Sequence, residues 1–181
     1  MNQKTITNQC SISGYGIHTG KKVNLELYPA KENTGIVFQR IDLKDKPTVR
    51  ALFKNVASTN RSTNIKDKNA EVQTIEHLMA AIFTLGIDNL LIKIDNVEVP
   101  ILDGSSKKFT EILRNSPVKE QSLIKKSIRI TKKHVIKIDE NESYYQIEPS
   151  ENFSVEVKLD YDVRFLKNQI AVLEDINKFE N

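Results

Sequence analysis

Thr74-Ile75-Glu76-His77-Leu78-Met79-Ala80-Ala81-Ile82-Phe83-Thr84-Leu85-Gly86-Ile87-Asp88-Asn89-Leu90-Leu91-Ile92-Lys93-Ile94 passes from a helical to an extended pattern without a long loop between. Apolar residues at Ile75, Leu78, Met79, Ile82 and Phe83 follow the i, i+3, i+4, i+7, i+8 spacing. That spacing predicts a helix over 74–85 that lays one apolar stripe against a core. Thr74 is a candidate N-cap and Gly86 a candidate C′ residue. Ile87–Ile94 then reads as a strand, with a turn at Asp95-Asn96 and a short strand through Val97, Val99 and Ile101, so a hairpin is expected.

Two residues of this helix are not needed for packing. At about 100° per residue His77 falls opposite the stripe and Glu76 at its margin. Both sit in the first turn, where the positive end of the macrodipole favours a carboxylate and disfavours an imidazolium. A neutral imidazole can bind a metal, and an ionised glutamate can take a proton from metal-bound water. The zincin pattern H-E-x-x-H is absent, because the residue four after His77 is Ala81, so further ligands must come from elsewhere. A solvated polar face is the competing reading of the pair.

Outward from the helix, Lys4–Ser13, Lys21–Tyr28 and Gly35–Arg40 read as strands, the second through Val23, Leu25 and Leu27. A glycine-rich turn, Gly14-Tyr15-Gly16-Ile17-His18-Thr19-Gly20, separates the first two. Downstream, Asp103-Gly104-Ser105-Ser106 makes a turn whose serine can cap a second helix carrying Phe109, Ile112 and Leu113. Periodicity lapses around Asn115-Ser116-Pro117 and Glu120-Gln121-Ser122, which divides the chain into 1–121 and 122–181. In the second part Ser127–Thr131, His134–Ile138, Tyr144–Ile147 and Phe153–Leu159 read as strands of one antiparallel sheet, with a turn at Asp139-Glu140-Asn141-Glu142. That sheet lacks a cover. The tail around Ile170, Val172, Leu173, Ile176 and Phe179 breaks off at Asn181 without a helix end, the pattern expected of a chain cut inside a larger protein.

Composition bounds the function. The 181 residues are 39% hydrophobic and 28% charged, with a formal net charge of +3 and lysines interleaved with acids. A nucleic-acid partner is not expected, and no apolar run is long enough for a transmembrane segment. The amino terminus lacks a secretory pattern and Cys10 is the single cysteine, so a cytoplasmic, disulfide-free protein is expected. Only His18, His77 and His134 are present, too few for a closed structural zinc site.

Four segments, Gly16-Ile17-His18-Thr19-Gly20, Thr74-Ile75-Glu76-His77-Leu78, Leu85-Gly86-Ile87-Asp88-Asn89 and Val99-Pro100-Ile101-Leu102-Asp103-Gly104-Ser105, together resemble the zinc-dependent UDP-3-O-acyl-N-acetylglucosamine deacetylases of lipid A biosynthesis. The similarity runs from about residue 4 to about 160. It implies an α+β fold of two domains of similar topology. Each would be a mostly antiparallel sheet backed by helices, a two-layer sandwich like ribosomal protein S5 domain 2, with the active site between them and the second domain truncated here.

The resemblance also implies roles. Glu76 matches the general base and His77 a Zn2+ ligand; the substrate is a small UDP-sugar lipid whose N-acetyl group is hydrolysed to acetate. The remaining ligands, a histidine and an aspartate of a His-Lys-x-x-Asp helix, belong to the second domain, as do a further histidine and an Arg-Thr-Phe threonine. None of these motifs occurs in this sequence, so the second-domain remainder is needed to complete the site and the chain alone is expected to be inactive. His18 and the loop residues Thr59, Asn60, Arg61 and Ser62 are near-site or substrate-binding candidates. Asp103 is a structural residue near the site, and His134 a surface residue. A non-catalytic α+β binding or assembly module is the alternative.

Overall fold

The computed structural model describes residues 1–138, 143–161, 163 and 166–179. Two compact units divide the chain, Met1–Lys125 and Lys126–Asn181. The first contains β1 (Asn2–Ile6), β2 (Cys10–Tyr15), β3 (Lys22–Pro29), β4 (Ile36–Arg40), β5 (Thr48–Arg50), β6 (Val56–Ser58), β7 (Asn64–Asp67), β8 (Ala70–Val72), α1 (Glu76–Thr84), β9 (Leu90–Ile94), α2 (Lys107–Arg114) and β10 (Val118–Ile124). A five-stranded sheet of order β2-β3-β9-β4-β5 is antiparallel except for β4 beside β9, and β6-β7-β8 form a three-stranded sheet. The architecture is α+β, with mostly antiparallel strands.

Alternation decides which strand faces meet the core. In β3 the side chains of Val23, Leu25 and Leu27 are buried while Lys22, Asn24 and Glu26, which alternate with them, are exposed, and in β9 Leu90, Ile92 and Ile94 are buried. They join Leu78, Ala81 and Ile82 of α1 and Phe109 and Leu113 of α2 in one core. A helix of nine residues is too short to persist alone in water, so burial of this stripe, about 1.5–3 kcal/mol per large side chain, holds α1 in place. The stripe is narrower than its spacing suggests. Phe83 is 56% exposed because the buried arc turns towards Ala81.

Several expected elements differ. Lys4–Ser13 is two strands, broken after Ile6, because β1 leaves β2's sheet to pair with β10, Thr5 opposite Lys119 and Ile6 opposite Val118. The lapse at 115–122 hides that strand. The hairpin after α1 does not form: Val97–Ile101 hydrogen-bonds instead to Gln73 and Tyr15, and the Asp95 side chain turns back to Asn24. Pro100 explains this, since it has no N–H for a ladder.

The β1–β10 ribbon is fastened by polar groups. Asn89, 1% exposed, donates through Nδ2 to Gln3 Oε1 and Gln121 Oε1, both at 2.8 Å, and accepts the Gly35 N–H at 2.9 Å. The Asp88 and Asn89 N–H groups donate to Lys4 O, and Thr5 Oγ1 donates to Asn89 O at 2.7 Å. Among the described residues no buried side-chain nitrogen or oxygen lacks a partner.

Arg40 fastens the other end of β4. Its guanidinium donates to Asp42 Oδ1 at 2.9 Å and Oδ2 at 2.8 Å, and to Glu71 O at 2.7 Å. Arg40's hydrogen bond, which outweighs burial, holds the Asp42 carboxyl below its ordinary value. A depressed folded-state value contributes stability above the unfolded value of about 3.9 and loses it as the pH falls through the folded one. Asp42→Asn is therefore expected to lower stability by about 1–2 kcal/mol at neutral pH. Urea midpoints should show the difference from the parent closing below about pH 4; a constant difference down to strong acid would refute the ion pair's contribution.

In the second unit β11 (His134–Lys137) pairs with β12 (Tyr144–Ile147), and β13 (Val155–Leu159) with β14 (Gln169–Leu173). Among the described residues these are two separate antiparallel ribbons, where one sheet was expected, and Ser127–Thr131 is not a strand. The tail contributes β14 and a 3-10 turn at Ile176–Lys178. Val135, Ile136, Val157, Leu159 and Ile170 are all exposed. The turn expected at Asp139-Glu140-Asn141-Glu142 lies outside the described residues. Among the described residues no helix is long and apolar enough to cross a membrane.

Candidate active site

Glu76 and His77 open α1, and both are half-buried. The helix start is not capped as expected. Thr74 is buried with φ +59°, and the N-cap position is Ile75, which has no side-chain cap. The segment entering β7 supplies the acceptors instead: Thr74 N–H donates to Asn64 Oδ1 and Ile75 N–H to Thr63 O, each at 3.2 Å. Thr63 N–H in turn donates to Glu76 Oε2 at 2.9 Å. One carboxylate oxygen is thereby anchored, and Oε1 has no partner among the described residues. Among those residues no hydrogen bond or ion pair engages the His77 imidazole, so both ring nitrogens are available. At the far end the helix closes as expected. Gly86, at φ +66°, donates to Phe83 O and Ile87 donates to Ile82 O, the paired bonds of a Schellman motif.

Sequence reasoning missed Glu98, which organises the turn. It is 1% exposed, though alternation between Val97 and Val99 places it on an outer face. Oε1 accepts the His18 N–H at 2.9 Å and Thr74 Oγ1–H at 3.2 Å; Oε2 accepts the Thr19 N–H at 2.8 Å. Burial raises the pKa of this carboxyl, but the hydrogen bonds from His18, Thr19 and Thr74 together outweigh it, so the net displacement is downward. Gly16 is required beside it: a Cβ there would collide with the Glu98 carboxylate and lie 2.6 Å from Thr19 Oγ1. Pro100, two residues after Glu98, is the signal in the sequence that argues against a regular strand here and so against the alternation.

Three of the four resembling segments meet here. Glu98 joins the His18 turn to Thr74, and Ile101 N–H donates to Tyr15 O at 3.0 Å, which brings the Val99–Ser105 segment alongside β2. The fourth, Leu85–Asn89, ends the helix and belongs to the Asn89 network. His18 itself is exposed and held by its backbone. Of the loop candidates, Thr59, Asn60 and Arg61 are exposed, Arg61 with φ +59°, while Ser62 Oγ donates to Asn64 Oδ1 at 3.0 Å. Through Thr63 that loop abuts Glu76. Asp103 is exposed and accepts the Ser105 N–H and hydroxyl, and Ser105 Oγ accepts the Lys107 N–H at the start of α2. His134 lies exposed on β11, and burial pushes the Cys10 thiol up.

A catalytic zinc ordinarily takes three protein ligands. Among the described residues no three His, Cys, Asp or Glu side chains stand together to hold a metal ion. The donor set present, one free imidazole beside an anchored carboxylate, does not by itself fit such a centre.

The family model for UDP-3-O-acyl N-acetylglycosamine deacetylase (LpxC) matches residues 3–181. The Acidithiobacillus ferrooxidans UDP-3-O-acyl-N-acetylglucosamine deacetylase is 42% identical over 166 residues, 92% of this chain and 54% of that protein. The Teredinibacter turnerae deacetylase is 41% identical over 160 residues, 88% of this chain and 52% of that protein. A bifunctional enzyme LpxC/FabZ of Bacteroides thetaiotaomicron is 39% identical over 181 residues, all of this chain and 39% of that protein. The chain thus spans about half the length, or less, of these curated relatives. With the match running through the Gly16–Gly20 turn, the Glu76-His77 helix and the Val99–Ser105 segment alike, the chain belongs to the UDP-3-O-acyl N-acetylglycosamine deacetylase family.

Proposed function

We propose that the chain carries the base-bearing part of an amide hydrolase site, in a cytoplasmic deacetylase of lipid A biosynthesis. Its substrate is UDP-3-O-(3-hydroxyacyl)-N-acetylglucosamine, and its products are acetate and the free glucosamine amine. Residues up to Lys125 form the first domain and those after it the opening strands of a second. Glu76 is the general base and His77 one protein ligand of Zn2+; the other ligands lie outside residues 1–181. A zinc ion held by His77 together with such outside ligands would supply Lewis acidity to the amide carbonyl and to water.

The anchoring of Glu76 carries this reading. Thr63 N–H holds Oε2 at 2.9 Å, which aims Oε1 without neutralising it. The base then takes a proton from the attacking water, and that proton can leave with the amine. Thr59, Asn60, Arg61, Ser62 and His18 are assigned in this reading to the sugar and diphosphate of the substrate.

Turnover of the acetylated substrate tests the proposal in two samples. The natural gene product is expected to release acetate, to lose this activity on chelation and to recover it with zinc. The purified 181-residue chain is expected to show no measurable turnover, because a single imidazole binds zinc weakly. Chelator-sensitive turnover by the chain alone would overturn the assignment of outside ligands. No turnover by the natural product would overturn the deacetylase reading and favour a non-catalytic module.

A further inference from the structure

The geometry points to Glu98 as a positioning residue: its buried carboxylate clips the His18–Thr19 turn to Thr74 and so fixes the direction in which α1, with Glu76 and His77 in its first turn, leaves Thr74. A buried carboxylate needs compensation, and no Lys, Arg or His pairs with Glu98 among the described residues. Its charge is met by two successive backbone N–H groups and by the Thr19 and Thr74 hydroxyls. Successive N–H groups of this kind form an anion-binding concavity, filled here by a side chain of the same protein.

What the clip holds is more informative than the clip. Thr74 is β-branched and buried, yet it adopts φ +59°, a costly conformation for such a residue and one sustained only where the surroundings over-determine it. Its N–H is taken by Asn64 and its hydroxyl by Glu98, one from each side. Two residues later comes Glu76. The strained residue and its two restraints therefore set the entry of α1, and with it the placement of the anchored carboxylate.

The test separates the clip from the reaction. In the 181-residue chain, Glu98→Gln keeps the shape of the side chain but cannot accept both N–H groups with charge. Amide resonances of His18 and Thr19 are expected to move upfield, and those of Glu76 and His77 to shift with them. In the natural gene product, an arm that rests on the deacetylase reading, Glu98→Gln is expected to lower kcat about 10- to 100-fold, with KM changed less than about threefold. Thr74→Ser, which keeps the hydroxyl, should retain most of the activity; Thr74→Val should resemble Glu98→Gln, and the double variant should be no worse than either.

Unmoved Glu76 and His77 resonances would overturn the inference, as would a parental kcat despite displaced resonances. If Glu98→Gln does not fold, the Thr74→Ser and Thr74→Val pair makes the same discrimination, equal kcat values counting against the clip. A natural product without any turnover refutes the reaction proposed above, and the resonances of the chain then decide the clip alone.

Discussion

Glu76→Gln in the natural gene product is expected to lower kcat about 10²–10⁴-fold, the range typical of a lost general base. The amide oxygen of glutamine can still accept the Thr63 N–H that now reaches Glu76 Oε2. What it cannot do is take a proton. The fold should therefore survive, since Glu76 lies outside the arc of Ile75, Leu78, Ala81 and Ile82 that seats the helix. Acetate release under saturating substrate, read beside a thermal melt, checks both halves. Activity within about threefold of the parent would refute the role of base. A collapse of the melt together with activity would instead show that the Thr63 contact is structural.

Asn89→Ala is expected to cost about 2–4 kcal/mol of stability, because it takes a partner from one buried and two half-buried groups together. The Gly35 N–H loses its acceptor, and Gln121 Oε1 and Gln3 Oε1 each lose a donor. Gln3 still accepts the Asn33 N–H, so its loss is partial. Asn89→Asp should recover little, since a carboxylate would place negative charge against the two glutamine oxygens. Urea unfolding monitored by circular dichroism measures the difference; a change below about 0.5 kcal/mol would mean that the ribbon of β1 and β10 is held by its apolar contacts alone.

Legibility follows burial. β3, β9 and the core-facing side of α1 are readable because period and burial coincide at Val23, Leu25, Leu27, Leu78 and Ile82. β10 is not: Lys119, Glu120 and Ser122 are exposed, and its strand exists because β1 offers a partner far away in sequence, which no local pattern encodes. The same holds for Thr74. Its residue type favours an N-cap, but Asn64 and Glu98, brought beside it by the fold, take its N–H and its hydroxyl instead. At the site, Glu76 and His77 stand out by chemistry and by resemblance. Glu98 does not, because alternation assigns Val97, Glu98 and Val99 to a strand that Pro100 prevents. Alternating runs in the second unit read as one sheet, whereas strand partners are chosen by registers that alternation leaves open.

The pairing of Asn2 with Ile124 also orders events in time. At synthesis rates of about 5–20 residues per second, β1 emerges roughly 6–24 s before its partner strand. The β2–β3 hairpin needs no such wait, since Tyr15 pairs with Lys22 across a short turn. During that interval the nascent chain carries Ile6 and the open edge of β1 without their final cover. Folding of the first unit therefore waits on β10, and β1, made before the other strands of that unit, is among the last to be secured.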